Sequence, residues 1–207
     1  METAPRVPDS LAISPGRATA PSSYDDWLTA VSDSGVAAVQ LREKHLPDRS
    51  LLELARRARS LLAPDCFLFI NGRFDVALAA AADGVHLPSN GLPVAAVRSR
   101  VGGRLMIGRS THHQDEVRHA RDAGADFVTF GPLRPVPGKE SFGPPAGLDG
   151  LRRAARIGLP VLALGGIGLD DIEPLREAGV AGIAAIRLFQ SAASAAAAVA
   201  RLRRTDC

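Results

Sequence analysis

The chain has 207 residues, of which 46% are hydrophobic, so it can bury the core of one large domain or two small ones without disulfide or metal staples. Its net charge of +3 comes largely from arginines in helix-like segments, and aromatic residues make up only 4%, a composition that argues against nucleic-acid binding. No window is apolar enough for a membrane span, and Cys66 and Cys207 do not make a disulfide framework, so we expect a cytoplasmic protein.

In chain order, a proline-rich polar tail over residues 1–9 precedes a domain over residues 10–207, in which short apolar runs alternate with segments of helical spacing. The runs cover residues 11–14, 36–41, 66–70, 83–87, 104–108, 126–130, 161–165 and 182–186. Nearly continuous apolar runs of this length are typical of parallel strands buried on both faces. Eight such units predict an α/β fold, a single (β/α)₈ TIM barrel. A doubly wound sheet is the alternative, and it is disfavoured because the chain divides into eight strand–helix units with no element left over.

Polar residues follow several of the runs. In VQLREK (39–44), Gln40, Arg42 and Lys44 alternate along the chain, so they share one face of an extended strand. Because a barrel places its site at the C-terminal ends of the strands, this face predicts a site for a small anion. A solvated strand end is the alternative interpretation. The other runs add Asn71, Ser110, Lys139 and Arg187 as candidate binding residues.

The stretch LGGIG (164–168) follows the seventh run. Gly165 and Gly166 allow a close backbone approach, so their exposed N–H groups could bind a phosphate. Barrels often hold phosphate between the seventh and eighth strands, which favours this interpretation. Tight packing between a strand and a helix is the alternative.

A succession of motifs gives these observations a more specific meaning. They are VQLREK, INGRFDVAL, ADGVHLP, GRSTH, GADFVTFGP, PVLALGGI and AGVAGIAAI. In order and spacing, over residues 36–190, they resemble the thiamine phosphate synthase and TenI superfamily. The resemblance implies a (β/α)₈ barrel that acts on the thiazole phosphate of thiamine biosynthesis, and in the synthase also on the pyrimidine pyrophosphate. It further implies that Gln40, Arg42 and Lys44 contact the pyrophosphate.

Two departures from the synthase pattern concern magnesium. In the synthase an aspartate follows the asparagine of the third strand, a second aspartate follows the fourth strand, and both serve magnesium. Gly72 and Gly91 stand at these positions. Because Mg²⁺ needs oxygen ligands, normally carboxylates and phosphates, we expect no metal site and no cofactor. Mg²⁺ would be required only if the chain is a divergent synthase.

Further departures lie after the sixth and eighth strands. The synthase pattern Pro-Thr-x-Thr-Lys is reduced here to a stretch that keeps Lys139 and lacks both threonines. Arg187 replaces the usual serine after the eighth strand, where it either strengthens phosphate binding or is simply exposed.

The motifs NGR, HLPSNGLP and IGRSTHH are more similar to the TenI branch, whose thiazole tautomerisation needs no magnesium. That branch uses a histidine after the glycine that ends the sixth strand, and Pro132 stands there instead. His112 and His86 are the candidate general acids or bases, since imidazole titrates near neutral pH. For both, a structural role is the alternative. Glu43 ranks lower because it faces away from its cationic neighbours.

These departures favour a TenI-like tautomerase acting on a thiazole phosphate. A divergent thiamine phosphate synthase is the first alternative, and a non-catalytic phosphate-binding or regulatory protein is the second. The expected partner is a small phosphorylated substrate, with no nucleic acid and no membrane. Whether the protein forms a homodimer is left open.

Overall fold

Eight short strands pair in chain order, all parallel, and close into a barrel. The computed structural model describes residues 7–16, 21–136 and 143–203, except for the side chains of residues 21–23. The strands are β1 (Ser10–Ile13), β2 (Ala38–Leu41), β3 (Phe67–Asn71), β4 (Gly84–Leu87), β5 (Met106–Thr111), β6 (Phe127–Phe130), β7 (Val161–Leu164) and β8 (Gly182–Ala185). The predicted (β/α)₈ barrel is confirmed.

Helices alternate with the strands and cover the outside of the barrel. They are α1 (Pro21–Asp33), α2 (Asp48–Leu61), α3 (Phe74–Ala79), α4 (Val94–Val101), α5 (Gln114–Asp122), α6 (Gly147–Ala155), α7 (Ile172–Glu177) and α8 (Ala192–Leu202). Short 3₁₀ turns, Leu169–Asp171 and Arg187–Phe189, follow β7 and β8. Within the described ranges, no helix is long and apolar enough to cross a membrane.

Strand β5 runs further than its predicted run, which ended at residue 108. Its pairing with β6 continues to Thr111, opposite Phe130, and Thr111 Oγ1 donates to the Thr129 carbonyl at 3.0 Å. The polar sequence after Gly108 resembles a strand end, but these residues still belong to the ladder. Arg109 and Ser110 are therefore strand residues with fixed side-chain directions.

The side chains that face the barrel interior are apolar near the N-terminal ends of the strands and include polar groups near the C-terminal ends. Towards the N-terminal ends they form an apolar layer that includes Phe69 and Phe127, whose rings meet edge to face at 5.4 Å between centroids. Gly84 and Gly108 leave room for these rings, because a Cβ would lie 2.3 Å from Phe69 and 2.4 Å from Phe127. Two residues further along, the inward side chains of β2 to β6 are polar, whereas those beside them on β1, β7 and β8 stay apolar; the polar ones are Gln40, Asn71, His86, Ser110 and Thr129. The period of the strand thus places a polar layer at the C-terminal mouth.

The N-terminal end of the barrel is joined to the residue before β1. Ile183 N donates to the Asp9 carbonyl at 2.9 Å. Residues 1–6 of the predicted tail lie outside the described residues. The division into a tail and a single domain remains a prediction.

Candidate active site

A cavity of about 410 Å³ opens at the C-terminal mouth of the barrel. Its lining residues are Ile13, Gln40, Arg42, Lys44, Asn71, His86, Pro88, Ser89, Asn90, Ser110, His112, Thr129, Leu164 and Ile186. Seven of the predicted site residues are among them: Gln40, Arg42, Lys44, Asn71, Ser110, His86 and His112. The structure therefore brings most of the predicted site together at one mouth.

Arg42 and Lys44 give the cavity its positive charge. Both line it, together with Gln40, as the alternation along the strand predicted. Within the described ranges, no carboxylate lies within 4.0 Å of either cation, whereas many of the other arginines do form ion pairs. Their charges are therefore available to an anionic ligand.

A buried contact between the ends of β1 and β2 fixes the backbone that carries Arg42. Arg42 N donates to Ser14 Oγ at 2.8 Å, and this hydroxyl in turn donates to Glu43 Oε1. Ser14 and Glu43 are 0% and 4% exposed, and Ser14 N also donates to the Gln40 carbonyl at 2.9 Å. Glu43 thus faces away from the cavity, as predicted, and lies behind the cationic edge.

Hydrogen-bonded neutral side chains form the floor of the cavity. Gln40 Nε2 donates to Asn71 Oδ1 at 3.0 Å and lies 3.4 Å from His86 Nδ1, while His86 Nε2 lies 3.3 Å from Thr129 Oγ1. The pKa of His86 is lowered to about 3, first by burial and then by the positive charges of Arg109 and Arg42. His86 is therefore neutral near pH 7 and suits a hydrogen-bonding role better than proton transfer.

His112 lies at the side of the cavity, just beyond the end of β5. Its Nδ1 is 2.6 Å from the Gly131 carbonyl, and its backbone N–H donates to Glu116 Oε2 at 2.5 Å. Because a carbonyl oxygen only accepts, Nδ1 carries the proton of this hydrogen bond. The position of its ring on the cavity wall makes His112 the better candidate for a general base.

The two glycines after β7 pack against protein rather than line the cavity. Gly165 and Gly166 have φ values of +94° and +74°, and an added Cβ would lie 2.7 Å from Pro132 and 3.0 Å from Arg134. Close packing explains both residues, although against the segment after β6 and not between a strand and a helix as the sequence alternative had it. Their predicted role in phosphate binding remains a prediction.

One predicted cation lies away from the described cavity wall, and another falls outside the described residues. Arg187 is exposed at the start of the 3₁₀ turn after β8 and does not line the cavity. Lys139 lies outside the described residues. Neither is placed at the site, and their roles as ligands remain predictions.

The segment between β6 and α6 is closed at its base. Ala146 N donates to the Pro132 carbonyl at 2.9 Å, and Leu133 N donates to the Leu164 carbonyl at 2.9 Å. Arg134 makes a bidentate ion pair with Asp171, in the 3₁₀ turn after β7. These contacts join the ends of the segment to the neighbouring strand.

The residues around Gly72 and Gly91 do not fit a protein-bound magnesium ion. Gly72 has a φ of +72°, and Gly91 N donates to the Pro88 carbonyl at 2.8 Å, closing a tight turn. An added Cβ would lie 3.6 Å from Pro88 Cδ at position 72 and 2.9 Å from it at position 91. The Pro88 ring therefore stands between the two positions where the resembling synthase has aspartates. Within the described ranges, no cluster of three histidine, cysteine or acidic residues could hold a metal.

Three polar residues that line the cavity were not predicted from the sequence. Thr129 lies within an apolar run, where its inward direction follows from the same period of two that identified Gln40. Ser89 and Asn90 belong to the turn after β4, and no local pattern indicates that this turn bends over the cavity.

The comparisons with known proteins identify one family. A family model described as thiamine monophosphate synthase matches residues 11–189. A Geobacter sulfurreducens protein, provisionally named a thiamine-phosphate synthase, is 49% identical over 149 residues, which cover 70% of this chain and 69% of that protein. The thiamine-phosphate synthase of Anaeromyxobacter dehalogenans is 41% identical over 151 residues, which cover 72% of this chain and 68% of that protein.

Solved structures give the same result at the level of the fold. The thiamine phosphate pyrophosphorylase of Pyrococcus furiosus matches with a TM-score of 0.83 and 28% identity, covering 94% of this chain and 95% of that chain. A 3-hexulose-6-phosphate synthase matches with a TM-score of 0.70 at 17% identity, covering 95% of this chain and 100% of that chain, a similarity of fold alone.

Proposed function

Because the chain belongs to the thiamine monophosphate synthase family, we propose that it joins a pyrimidine pyrophosphate to a thiazole phosphate in the cavity at the barrel mouth. The observation that carries this proposal is the 41–49% identity to relatives named as this synthase, over most of the chain. The departures from the synthase motifs had favoured a TenI-like tautomerase over the synthase. The comparisons support the synthase better.

The reaction makes one bond and breaks one. The thiazole nitrogen attacks the methylene carbon of the pyrimidine, and the bond from this carbon to the pyrophosphate oxygen breaks, the electron pair leaving with the oxygen. Negative charge therefore grows on the pyrophosphate as it departs. Arg42 and Lys44 line the cavity and can stabilise that charge through charge-assisted hydrogen bonds.

The neutral floor is suited to the ring of the pyrimidine. Gln40 Oε1 is buried and has no hydrogen-bond partner within the described residues, so it can accept from a ligand amino group. Asn71 and Ser110 line the same cavity with further polar groups. A cationic edge beside a neutral polar floor matches a substrate with an anionic tail and a neutral heterocycle.

The test is formation of thiamine phosphate from the two purified substrates, followed by chromatography. We expect product, and we expect Arg42→Gln to lower kcat/KM by about 100-fold because it removes a charge that acts on the leaving group. Arg100→Gln, an exposed residue on α4, is the control for the loss of one positive charge and should change little. A folded protein that binds pyrophosphate but forms no product under any condition would contradict the proposal.

A proton shift on the thiazole phosphate is the second candidate, and the geometry of His112 favours it. An imidazole that is held by the Gly131 carbonyl on the cavity wall can act as a general base towards a proton on carbon or nitrogen of the thiazole ring. The measurement is uptake of solvent deuterium into the thiazole substrate, seen by NMR. His112→Gln should abolish that uptake while leaving thiazole phosphate binding within about threefold of the original.

A further inference from the structure

The turn after β4 is held by an arginine from the neighbouring strand. Arg109 Nη1 donates to the Leu92 carbonyl at 2.9 Å, and Nη2 donates to the Ser89 carbonyl at 2.8 Å. Arg109 projects outward from β5 and is partly buried between the turn and α5. It therefore clamps the two ends of the segment that carries Ser89 and Asn90 over the cavity.

The charge of this guanidinium is not neutralised by an ion pair. Its hydrogen-bond partners are backbone carbonyls, and although the charge of Glu116 acts on it across a shared pocket, no carboxylate of the described ranges lies within 4.0 Å of it. Its influence reaches the cavity floor, where the charges of Arg109 and Arg42 both disfavour the protonated form of His86. Arg109 thus adds a fixed positive charge behind the cavity wall.

The same turn contains Pro88 and Gly91, and Gly72 at the end of β3 lies against it. Gly72 and Gly91 replace the two carboxylates of the resembling synthase, and the Pro88 ring occupies the space between their Cβ positions. A side chain at position 91 would meet both the ring and the carbonyl of Pro88, at 2.9 and 3.1 Å. Restoring aspartates at the two glycines therefore cannot rebuild a metal site while Pro88 remains.

We propose that the anion site of this chain works without a protein-bound divalent cation, and that Pro88 and Arg109 are the residues that replaced it. Pro88 fills the space between the former ligand positions, while Arg109 holds the turn and supplies a permanent positive charge. The proposal relies on the proposed function for the nature of the ligand, a pyrophosphate or phosphate ester. It concerns ligand binding, so it is tested without turnover.

The first experiment measures metal binding directly. Mn²⁺ alone is titrated into the protein, and the free ion is followed by electron paramagnetic resonance. We expect the original protein and the double variant Gly72→Asp/Gly91→Asp to leave the Mn²⁺ signal unchanged. The triple variant that also carries Pro88→Gly should bind Mn²⁺. Binding of one Mn²⁺ per chain by the original protein would overturn the proposal, and so would equal binding by the double and triple variants.

The second experiment measures inorganic pyrophosphate binding by calorimetry in the presence of EDTA. We expect binding, and we expect Arg109→Gln to weaken it about fivefold, the effect of one partly screened charge near the site. The matched control Arg100→Gln should change the affinity by less than about twofold. Arg109→Lys keeps the charge but cannot reproduce the paired hydrogen bonds to the Ser89 and Leu92 carbonyls. The affinity of this variant for pyrophosphate should therefore lie between those of the original protein and Arg109→Gln.

The outcomes separate this proposal from the proposed function. A folded protein that binds no pyrophosphate in EDTA, or an Arg109→Gln variant that matches its Arg100→Gln control, contradicts the inference whatever the reaction is. Metal-free binding without thiamine phosphate formation supports the inference and contradicts the synthase. The Mn²⁺ and pyrophosphate titrations of the original protein decide the metal question even if an Arg109 variant does not fold.

Discussion

Ser14 is the residue at which the structure makes its most specific energetic prediction. Its hydroxyl accepts from Arg42 N and donates to the buried Glu43 carboxylate, so Ser14→Ala leaves two buried polar groups without this partner. A lost hydrogen bond to a charged group costs about 1.5–3 kcal/mol, and an unsatisfied backbone N–H costs about 1–3 kcal/mol. We therefore expect Ser14→Ala to lower the free energy of unfolding by about 3 kcal/mol, measured by urea denaturation.

A double-mutant cycle tests the cause of that loss. Glu43→Gln keeps an oxygen that can accept from Ser14 but removes the buried charge. In the double variant Ser14→Ala/Glu43→Gln no carboxylate is left unpaired, so the combined loss should be smaller than the sum by about 1–2 kcal/mol. Since Ser14 also positions Arg42, pyrophosphate affinity in Ser14→Ala should fall about tenfold. A loss of stability below about 0.5 kcal/mol, or strict additivity, would refute the reasoning.

Two further predictions concern the floor and the interior of the barrel. The folded-state pKa of His86, about 3, lies below the usual value of 6.5, so between these values only the unfolded chain takes up this proton. The contribution of His86 to the free energy of unfolding is thus complete above about pH 6.5, and on acidification it falls by up to about 1.4 kcal/mol per pH unit. The measurement is the difference in unfolding free energy between the original protein and His86→Gln. A difference that does not change between pH 7 and pH 5 would contradict this. Gly108→Ala places a Cβ 2.4 Å from Phe127, so it should destabilise by about 1–3 kcal/mol. Gly103→Ala, whose Cβ meets nothing within 4 Å, is the control and should leave the melting temperature nearly unchanged.

The fold could be predicted from the sequence because its signals are local. Each strand is a short apolar run, and the alternation with helical segments repeats eight times. Small errors in the predicted ends of a strand therefore do not change the number of strand–helix units. Strand β5 is the exception, since Arg109 and Ser110 look like a loop and only their pairing with β6 makes them strand. Pairing of this kind depends on a neighbour distant in the sequence.

The site was only partly predictable, for two physical reasons. A glycine pair indicates that something approaches the backbone closely, but the pattern cannot distinguish a phosphate from protein atoms. At Gly165 and Gly166 the close neighbours are Pro132 and Arg134. The turn with Ser89 was missed because its conformation depends on Arg109, which is contributed by another strand.

The closed base of the segment between β6 and α6 has a practical consequence for engineering. Its ends meet at the Pro132–Ala146 hydrogen bond, and the Arg134–Asp171 ion pair anchors its start to the 3₁₀ turn after β7. The free energy of closing a loop changes only slowly with its length. Peptides of varied length and sequence could therefore be exchanged between these anchors while the barrel stays folded. The scaffold would then display a library of insertions beside the cavity at the barrel mouth, from which binders of new heterocycles could be selected.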